Sequence, residues 1–156
     1  MTKFYLVRHG ESEWNHQKRV QGQQNTLLTE KGRLQAKKTA SRLLNENIDA
    51  IYSSDLKRAS ETAGIIGNVL DLNVTPLKCL REIFFGPWEG QNFELLDKKY
   101  EEEHKLWLME PHKFNIEGAE TLYQLQKRAM SGINKILDKD IGKDILIVSH
   151  GATLQT

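Results

Sequence analysis

The chain has 156 residues, with 22 Lys or Arg and 21 Asp or Glu, so its formal net charge is +1. This balance excludes the strongly basic surface field that favours binding to nucleic acid or an anionic membrane. The longest apolar runs are about five or six residues, far below the roughly 20 needed to span a bilayer. Cys79 is the only cysteine, which excludes an internal disulfide and is typical of a reducing compartment. We therefore expect a cytoplasmic protein that forms one domain, residues 1–156.

Strands and helices alternate along the chain. Apolar runs predict strands at 3–8, 50–54 and 144–149, with a shorter β-prone segment at 73–77. Apolar residues at helical spacing predict helices over about 29–46, 55–70 and 119–138. Thr29 and Asp55 precede the first two helices as candidate N-caps. This alternation predicts a sheet layered with helices.

A charged segment lies between the second and third of these helices. Residues 92–110 are rich in Lys and Glu and predict a helical insertion, which we place at about 91–117. Such a charge run favours a solvated face. The alternative is a lid over a pocket.

Two predicted strands run directly into histidines. The first strand ends at Arg8 and is followed by His9, and the last ends at Ser149 and is followed by His150. Ligands of open α/β sheets bind beyond the carboxyl ends of the strands, so both histidines can reach one site. A neutral imidazole can attack phosphorus, and a neighbouring guanidinium favours the neutral ring while pairing with phosphate oxygens. The pattern therefore predicts phosphate chemistry at His9.

Two further charged residues are candidates for the same site. Arg58 lies in the first turn of a predicted helix, where the helix dipole does not stabilise a cation. The N-terminus of a helix does attract anions, so Arg58 and this N-terminus together can bind one. Glu82 is followed by Ile83 and Phe84, an apolar setting in which a carboxyl can donate a proton to a leaving alkoxide. The alternative for Glu82 is an ion pair with Arg81 or another cation. The spacing leaves both interpretations open.

Seven short motifs follow one another along almost the whole chain. They are Leu6-Val-Arg-His-Gly-Glu-Ser12 with Trp14-Asn15, Gln21-Gly22, Leu28-Thr-Glu-Lys-Gly32, Ser53-Ser-Asp-Leu-Lys-Arg-Ala-Ser-Glu-Thr62, Glu82 with Phe85-Gly-Pro-Trp-Glu-Gly90, Glu117-Gly118 and Ser149-His-Gly151. In this order they resemble the histidine phosphatase superfamily in its phosphoglycerate-mutase-like branch. The resemblance implies a three-layer α/β/α sandwich with a mostly parallel central sheet.

The resemblance also implies a role for each candidate residue. His9 would be the nucleophile that becomes a phosphohistidine, and Glu82 would contact the substrate as acid and then as base. The phosphate would be bound by Arg8, Asn15, Gln21, Gly22, Arg58 and His150. Among these, Arg8, Arg58 and His150 would stabilise the transferring phosphoryl group and are counted as catalytic, so no metal or cofactor is expected.

The implied activity is that of a metal-independent phosphomonoester hydrolase acting on a small phosphorylated metabolite. A phosphoglycerate mutase is the runner-up, because Arg81 could help to bind a second phosphate. The insertion contains Lys98, Lys99 and Lys113 but no paired arginines for that purpose, which favours water as the acceptor.

Two other classes are alternatives. An inactive module that binds a phosphorylated ligand would retain these residues without turnover. A metal-dependent hydrolase could use His9, Glu11, Glu13 and His150 as ligands, although the adjacent cations oppose a bound divalent ion. We expect a monomer or homodimer, with neither nucleic acid nor membrane as a partner.

The resemblance raises one expectation about the C-terminus. Relatives in this family commonly continue beyond the position of Thr156 through a further helix and often a strand. Residues 152–156 predict the start of such a helix, so we expect a chain truncated at the C-terminus, either a fragment or a shortened protein. A short end would leave the last strand and His150 poorly covered.

Overall fold

The computed structural model describes residues Met1 to Thr156. Its sheet has four strands, β1 (Lys3–Arg8), β2 (Ala50–Ser53), β3 (Val74–Pro76) and β4 (Asp144–Ser149). The strand order is β1-β4-β2-β3, and every neighbouring pair is parallel. The predicted strands are therefore confirmed, and the sheet is parallel throughout.

Seven α-helices accompany the sheet. They are α1 (Glu13–His16), α2 (Glu30–Leu43), α3 (Lys57–Leu70), α4 (Phe93–Lys99), α5 (Glu101–Met109), α6 (Leu122–Lys139) and α7 (Gly151–Gln155). The three long helices predicted from apolar spacing correspond to α2, α3 and α6. Thr29 is the N-cap of α2, as predicted, and its hydroxyl accepts a hydrogen bond from the Gly32 N–H at 3.0 Å. None of the helices combines the length and the apolar character that crossing a bilayer requires.

Helix α3 begins two residues later than predicted. Its N-cap is Leu56, with no side-chain capping bond. The Asp55 carboxylate instead accepts two hydrogen bonds from the Arg81 guanidinium, at 2.7 Å and 2.6 Å. The prediction that Asp55 caps α3 is wrong, because a bidentate ion pair with a residue distant in sequence occupies both of its oxygens.

Helices cover both faces of the sheet. Leu146 and Val148 of β4 pack with α2 and α3 on one face, while Ile145 and Ile147 pack with α6 on the other. This alternation is the period of two expected for a strand buried on both sides. The result is the three-layer α/β/α sandwich. Because β4 lies between β1 and β2 and both its faces are covered, the expected loss of burial at the last strand is wrong.

Beyond the carboxyl edge of the sheet, the predicted insertion builds a third apolar cluster. Trp88, Leu96 and Phe114 are buried in it, and Leu125 of α6 and Ala152 of α7 pack into it. The charges of α4 and α5 face solvent, but Leu96 and His104 on the opposite side are buried. The segment is therefore more than a solvated face, and its inner side covers a cleft at the end of the sheet.

Candidate active site

The register of two strands brings the two histidines together. β1 pairs with β4 so that Arg8 lies opposite Ser149, and the next residue of each chain segment is a histidine. The rings of His9 and His150 have centroids 5.1 Å apart, and both residues are buried. Two residues separated by almost the whole chain thus form one pair at the carboxyl edge of the sheet.

The hydrogen bonds of His9 define which nitrogen carries its proton. His9 Nδ1 lies 2.7 Å from the carbonyl oxygen of Gly10, and a carbonyl oxygen only accepts, so Nδ1 is the donor. His9 Nε2 accepts from the Arg58 Nε–H at 3.2 Å. Burial, together with the charge of Arg58, lowers the pKa of His9 to about 3. The ring is therefore neutral at physiological pH, with a lone pair on Nε2.

Arg58 is a fully buried cation in the first turn of α3. Its Nη1 and Nη2 groups donate to the carbonyl oxygens of Gln24 and Gly22, at 2.8 Å and 2.7 Å. Burial lowers the pKa of Arg58 to about 10, against the opposing influence of Glu82 and Glu89. The guanidinium keeps its charge at neutral pH and holds the 22–24 loop against His9.

His150 lies behind His9 and is sealed from solvent. Its Nε2 is 2.8 Å from the Ser54 hydroxyl, and its Nδ1 is buried without a hydrogen-bond partner. Burial, reinforced by the charge of Arg58, holds the pKa of His150 well below its ordinary value. An unpaired buried polar atom costs free energy and is characteristic of functional sites.

Two amide side chains present donors to the site. Asn15 Oδ1 accepts from the Ser12 N–H at 3.1 Å, as part of the capping box of α1. Gln21 Oε1 accepts from the Thr26 hydroxyl at 2.5 Å. Because both amide oxygens are occupied, the NH2 group of each side chain is left as a donor.

The Gly22 backbone requires glycine. Its φ is +52°, in the left-handed region, and a Cβ there would collide with the Glu89 side chain. Glu89 Oε1 accepts from the Gln23 N–H at 2.8 Å, and Oε2 accepts from the Gln24 amide at 2.8 Å. The Glu89 carboxylate thus orders the loop whose carbonyl groups bind Arg58.

The Glu82 carboxylate lies at the N-terminus of α7. Oε1 accepts from the backbone N–H groups of Ile83 at 3.0 Å and Thr153 at 3.2 Å, and Oε2 accepts only from that of Ala152 at 3.2 Å. Arg81 pairs with Asp55, so the alternative of an ion pair between Glu82 and Arg81 is wrong. Of the two carboxylate oxygens, Oε2 is the less engaged.

One cleft of about 190 Å³ collects seven of the eight predicted site residues. They are Arg8, His9, Asn15, Gln21, Gly22, Arg58 and Glu82. Arg8 is the exposed member, and His150 lies behind the cleft against His9. The opposite wall comes from the insertion, which contributes Phe93, Leu96, His104 and Trp107. The insertion therefore forms the lid that was the alternative to a purely solvated face.

Sequence reasoning missed several residues that support this cleft. Thr62 accepts from the Gly10 N–H at 3.1 Å and donates to the Arg58 carbonyl oxygen at 2.7 Å. Its position one helical turn after Arg58 is a signal that could have identified it. Arg128 of α6 donates to the carbonyl oxygen of Glu82 at 2.8 Å and is paired with Glu120. No local pattern in the sequence points to Arg128.

No group of three or more His, Cys, Asp or Glu side chains converges in the structure. Glu11, which was considered as a metal ligand, pairs with Lys31 at 2.9 Å and accepts from the Thr29 hydroxyl. Three guanidinium groups line the cleft, those of Arg8, Arg19 and Arg58. This is a site arranged for an anion.

The model of the histidine phosphatase superfamily (branch 1) matches residues 4–156. The chain belongs to this superfamily. The superfamily match covers both histidine motifs and everything between them, as the resemblance predicted.

Individual proteins are similar to this chain over nearly its whole length. The chain is 38% identical to phosphoserine phosphatase 1 of Hydrogenobacter thermophilus over 150 residues, which is 96% of this chain and 71% of that protein. It is 37% identical to a Photorhabdus laumondii protein named "Probable phosphoglycerate mutase GpmB", covering 99% of this chain and 72% of that protein. The solved structure of Bacillus stearothermophilus YhfR superposes with a TM-score of 0.95 at 36% identity, covering 99% of this chain and 76% of that one.

The buried neutral histidines predict a loss of stability in mild acid. Between the folded pKa of His9, about 3, and the unfolded value of 6.5, only the unfolded chain takes up the proton, so stability falls as pH falls. For His9 this loss is about 2 kcal/mol between pH 7 and pH 5. We expect the free energy of unfolding, measured with urea, to fall less between pH 7 and pH 5 in a His9→Gln variant than in the unsubstituted chain. His112→Gln, at an exposed position, is the matched control, and equal losses in all three proteins would contradict the assignment.

Proposed function

We propose that this chain hydrolyses small phosphate monoesters through a phosphohistidine formed on His9. The observation that carries the proposal is the His9 tautomer, with the proton on Nδ1 and the Nε2 lone pair beside a buried guanidinium in the cleft. Burial supplies the neutral ring, and the cleft supplies the positive charge that a phosphate dianion needs. The cleft volume of about 190 Å³ suits a small metabolite.

In this proposal several fixed donors bind the phosphate. Arg8 and Arg58 pair with its oxygens, and the NH2 groups of Asn15 and Gln21 and the Gly22 loop complete the cradle. His150 lies close enough to His9 to contact the same phosphoryl group. Phosphoryl transfer depends mostly on positioning and on stabilising charge spread over three oxygens, which such an arrangement provides.

Glu82 is the proposed acid and base. In the first half-reaction the hydrogen bond from Arg58 Nε to His9 Nε2 breaks, Nε2 bonds to phosphorus, the ester P–O bond breaks, and the leaving oxygen takes a proton from Glu82. In the second, water attacks phosphorus, gives its proton to Glu82, and the N–P bond breaks to release inorganic phosphate. Oε2 is the oxygen suited to carry this proton, since only one backbone N–H binds it.

Water is the favoured acceptor over a second phosphoglycerate. The mutase alternative relied on Arg81, but this guanidinium is held by Asp55 and does not line the cleft. Lys113 pairs with Glu110, while Lys98 and Lys99 are exposed at the end of α4. None of these three lysines lines the cleft, so none is placed there to bind a second phosphate.

We further propose that residues 1–156 form one domain, present as a monomer or homodimer. The supporting contacts are those of Leu125 and Ala152, which pack the insertion cluster against α6 and α7. The inactive-module alternative is disfavoured because the candidate nucleophile, acid and cations all meet at one cleft.

His9→Ala is expected to lower the turnover of p-nitrophenyl phosphate by at least about 10⁴-fold, because no other unprotonated nitrogen occupies that place. Wild-type enzyme quenched with denaturant at alkaline pH should carry an acid-labile phosphoryl group on the peptide that contains His9, detected by mass spectrometry. His112→Ala is the matched control at an exposed position and should keep both the turnover and the phosphopeptide. A phosphate-binding module would bind vanadate yet yield no phosphopeptide.

Glu82→Gln should separate the two half-reactions. p-Nitrophenolate leaves without protonation, so phosphorylation should persist and release about one equivalent in a burst. Water then lacks its base, and steady-state turnover should fall by about 10²- to 10⁴-fold. Stopped-flow absorbance measures both phases. Glu102→Gln on the exposed side of α5 should leave both unchanged, and the loss of the burst together with turnover would contradict the assigned role.

The fate of 3-phosphoglycerate distinguishes phosphatase from mutase. We expect inorganic phosphate and glycerate as products, because Arg81 is already paired and water is the acceptor. Adding 2,3-bisphosphoglycerate should not redirect the product, and EDTA should not reduce the rate. Phosphorus NMR follows both outcomes, and accumulation of 2-phosphoglycerate would establish the mutase instead.

A further inference from the structure

His104 is a buried polar residue of the cleft with no part in the proposed phosphate chemistry. It lies on α5, is 7% exposed, and lines the same cleft as His9. We propose that His104 is a specificity-determining residue that accepts a hydrogen bond from a hydroxyl group on the leaving group of the ester. This inference rests on the proposed function, because it assigns the insertion side of the cleft to the part of the substrate that departs.

The hydrogen bond to Asp97 determines what His104 offers to a ligand. His104 Nδ1 lies 2.7 Å from Asp97 Oδ1, and a carboxylate oxygen only accepts, so Nδ1 carries the proton. In an imidazole that carries its single proton on Nδ1, Nε2 is an acceptor. Nε2 has no hydrogen-bond partner within the chain, and it is accessible to solvent. The Nε2 lone pair is therefore open to the cleft.

Aromatic neighbours hold the ring of His104 in this orientation. The Phe93 ring lies parallel to it, with centroids 6.1 Å apart and planes at 7°, and Trp88 meets it at 84° and 5.8 Å. With Asp97 bound to Nδ1, the imidazole is fixed on three sides. A group held in this way loses little conformational freedom when a ligand binds.

Apart from Arg19, the other residues on this side of the cleft are apolar. Leu96 and Trp107 come from the insertion and Val20 from the loop opposite, while Arg19 at the cleft donates to the Gly90 carbonyl oxygen at 3.0 Å. Glu82 is committed to proton transfer at the scissile bond. His104 Nε2 is thus the hydrogen-bond acceptor left for the remainder of the leaving group. A site built to bind a hydroxyl discriminates against an analogue that lacks it, since its own polar group is left unpaired.

Glycerol 3-phosphate and n-propyl phosphate test this role, because they share the phosphate and the three-carbon chain and differ only in two hydroxyl groups. We expect the wild type to prefer glycerol 3-phosphate in kcat/KM, and His104→Leu to reduce that preference about tenfold, mainly through a higher KM for the hydroxylated ester. The values for n-propyl phosphate, and inhibition by vanadate, should stay within about twofold.

Two matched variants accompany this measurement. Asp97→Ala removes the orienting carboxylate from an exposed position and should shift the preference in the same direction by a smaller factor, independently of packing at His104. Lys105→Ala, exposed on the same helix as His104, should change neither the preference nor the rates.

Two outcomes would overturn the proposal. An equal loss of kcat/KM with both esters in His104→Leu would show a structural role, and an unchanged preference would show no role in specificity. A wild type that turns over neither ester contradicts the proposed function as well, whereas turnover of both with a preference insensitive to His104 contradicts only the role of His104.

Discussion

The hydrogen bond from Arg58 Nε to His9 Nε2 connects the parts of this site. Arg58 lies in the first turn of α3, His9 follows β1, and the same guanidinium binds two carbonyl groups of the 22–24 loop. Burying a cation costs free energy unless its donors find partners, and here two backbone carbonyls and one imidazole accept from three of the five N–H donors of Arg58. The bond also explains the state of His9, because a protonated Nε2 could not accept from Arg58. Strand, helix and loop are thereby held at one point by a single charged group.

Different elements of the fold supply different parts of the site. The carboxyl edge of the parallel sheet and the start of α3 supply the positive charge and the candidate nucleophile. Glu82 joins this edge to α7, where backbone N–H groups bind its carboxylate. The insertion contributes the apolar wall and His104, which we assign to the leaving group. In this proposal, phosphate recognition depends on the carboxyl edge of the sheet, and discrimination between esters depends on α4 and α5.

Much of this could be predicted from the sequence, because strand-end positions are local signals. The motifs at His9 and His150 directly follow apolar runs, and parallel pairing of β1 with β4 then brings the histidines together. Contacts between distant side chains could not be predicted. Asp55 suits an N-cap by local rules, but its carboxylate pairs with Arg81. The Lys and Glu pattern of residues 92–110 describes the outer face of the insertion, whereas Leu96 and His104 on the inner face depend on packing against Trp88.

The most direct test of the central claim is the protonation state of the His9 ring itself. Nitrogen NMR of ¹⁵N-histidine-labelled protein, assigned by comparison with His9→Gln, reports which imidazole nitrogen carries hydrogen. We predict a neutral ring at pH 7 with hydrogen on Nδ1 and none on Nε2, persisting to about pH 5, because burial and the charge of Arg58 lower the pKa of His9. A doubly protonated ring at pH 7, or a neutral ring with hydrogen on Nε2, would contradict the account.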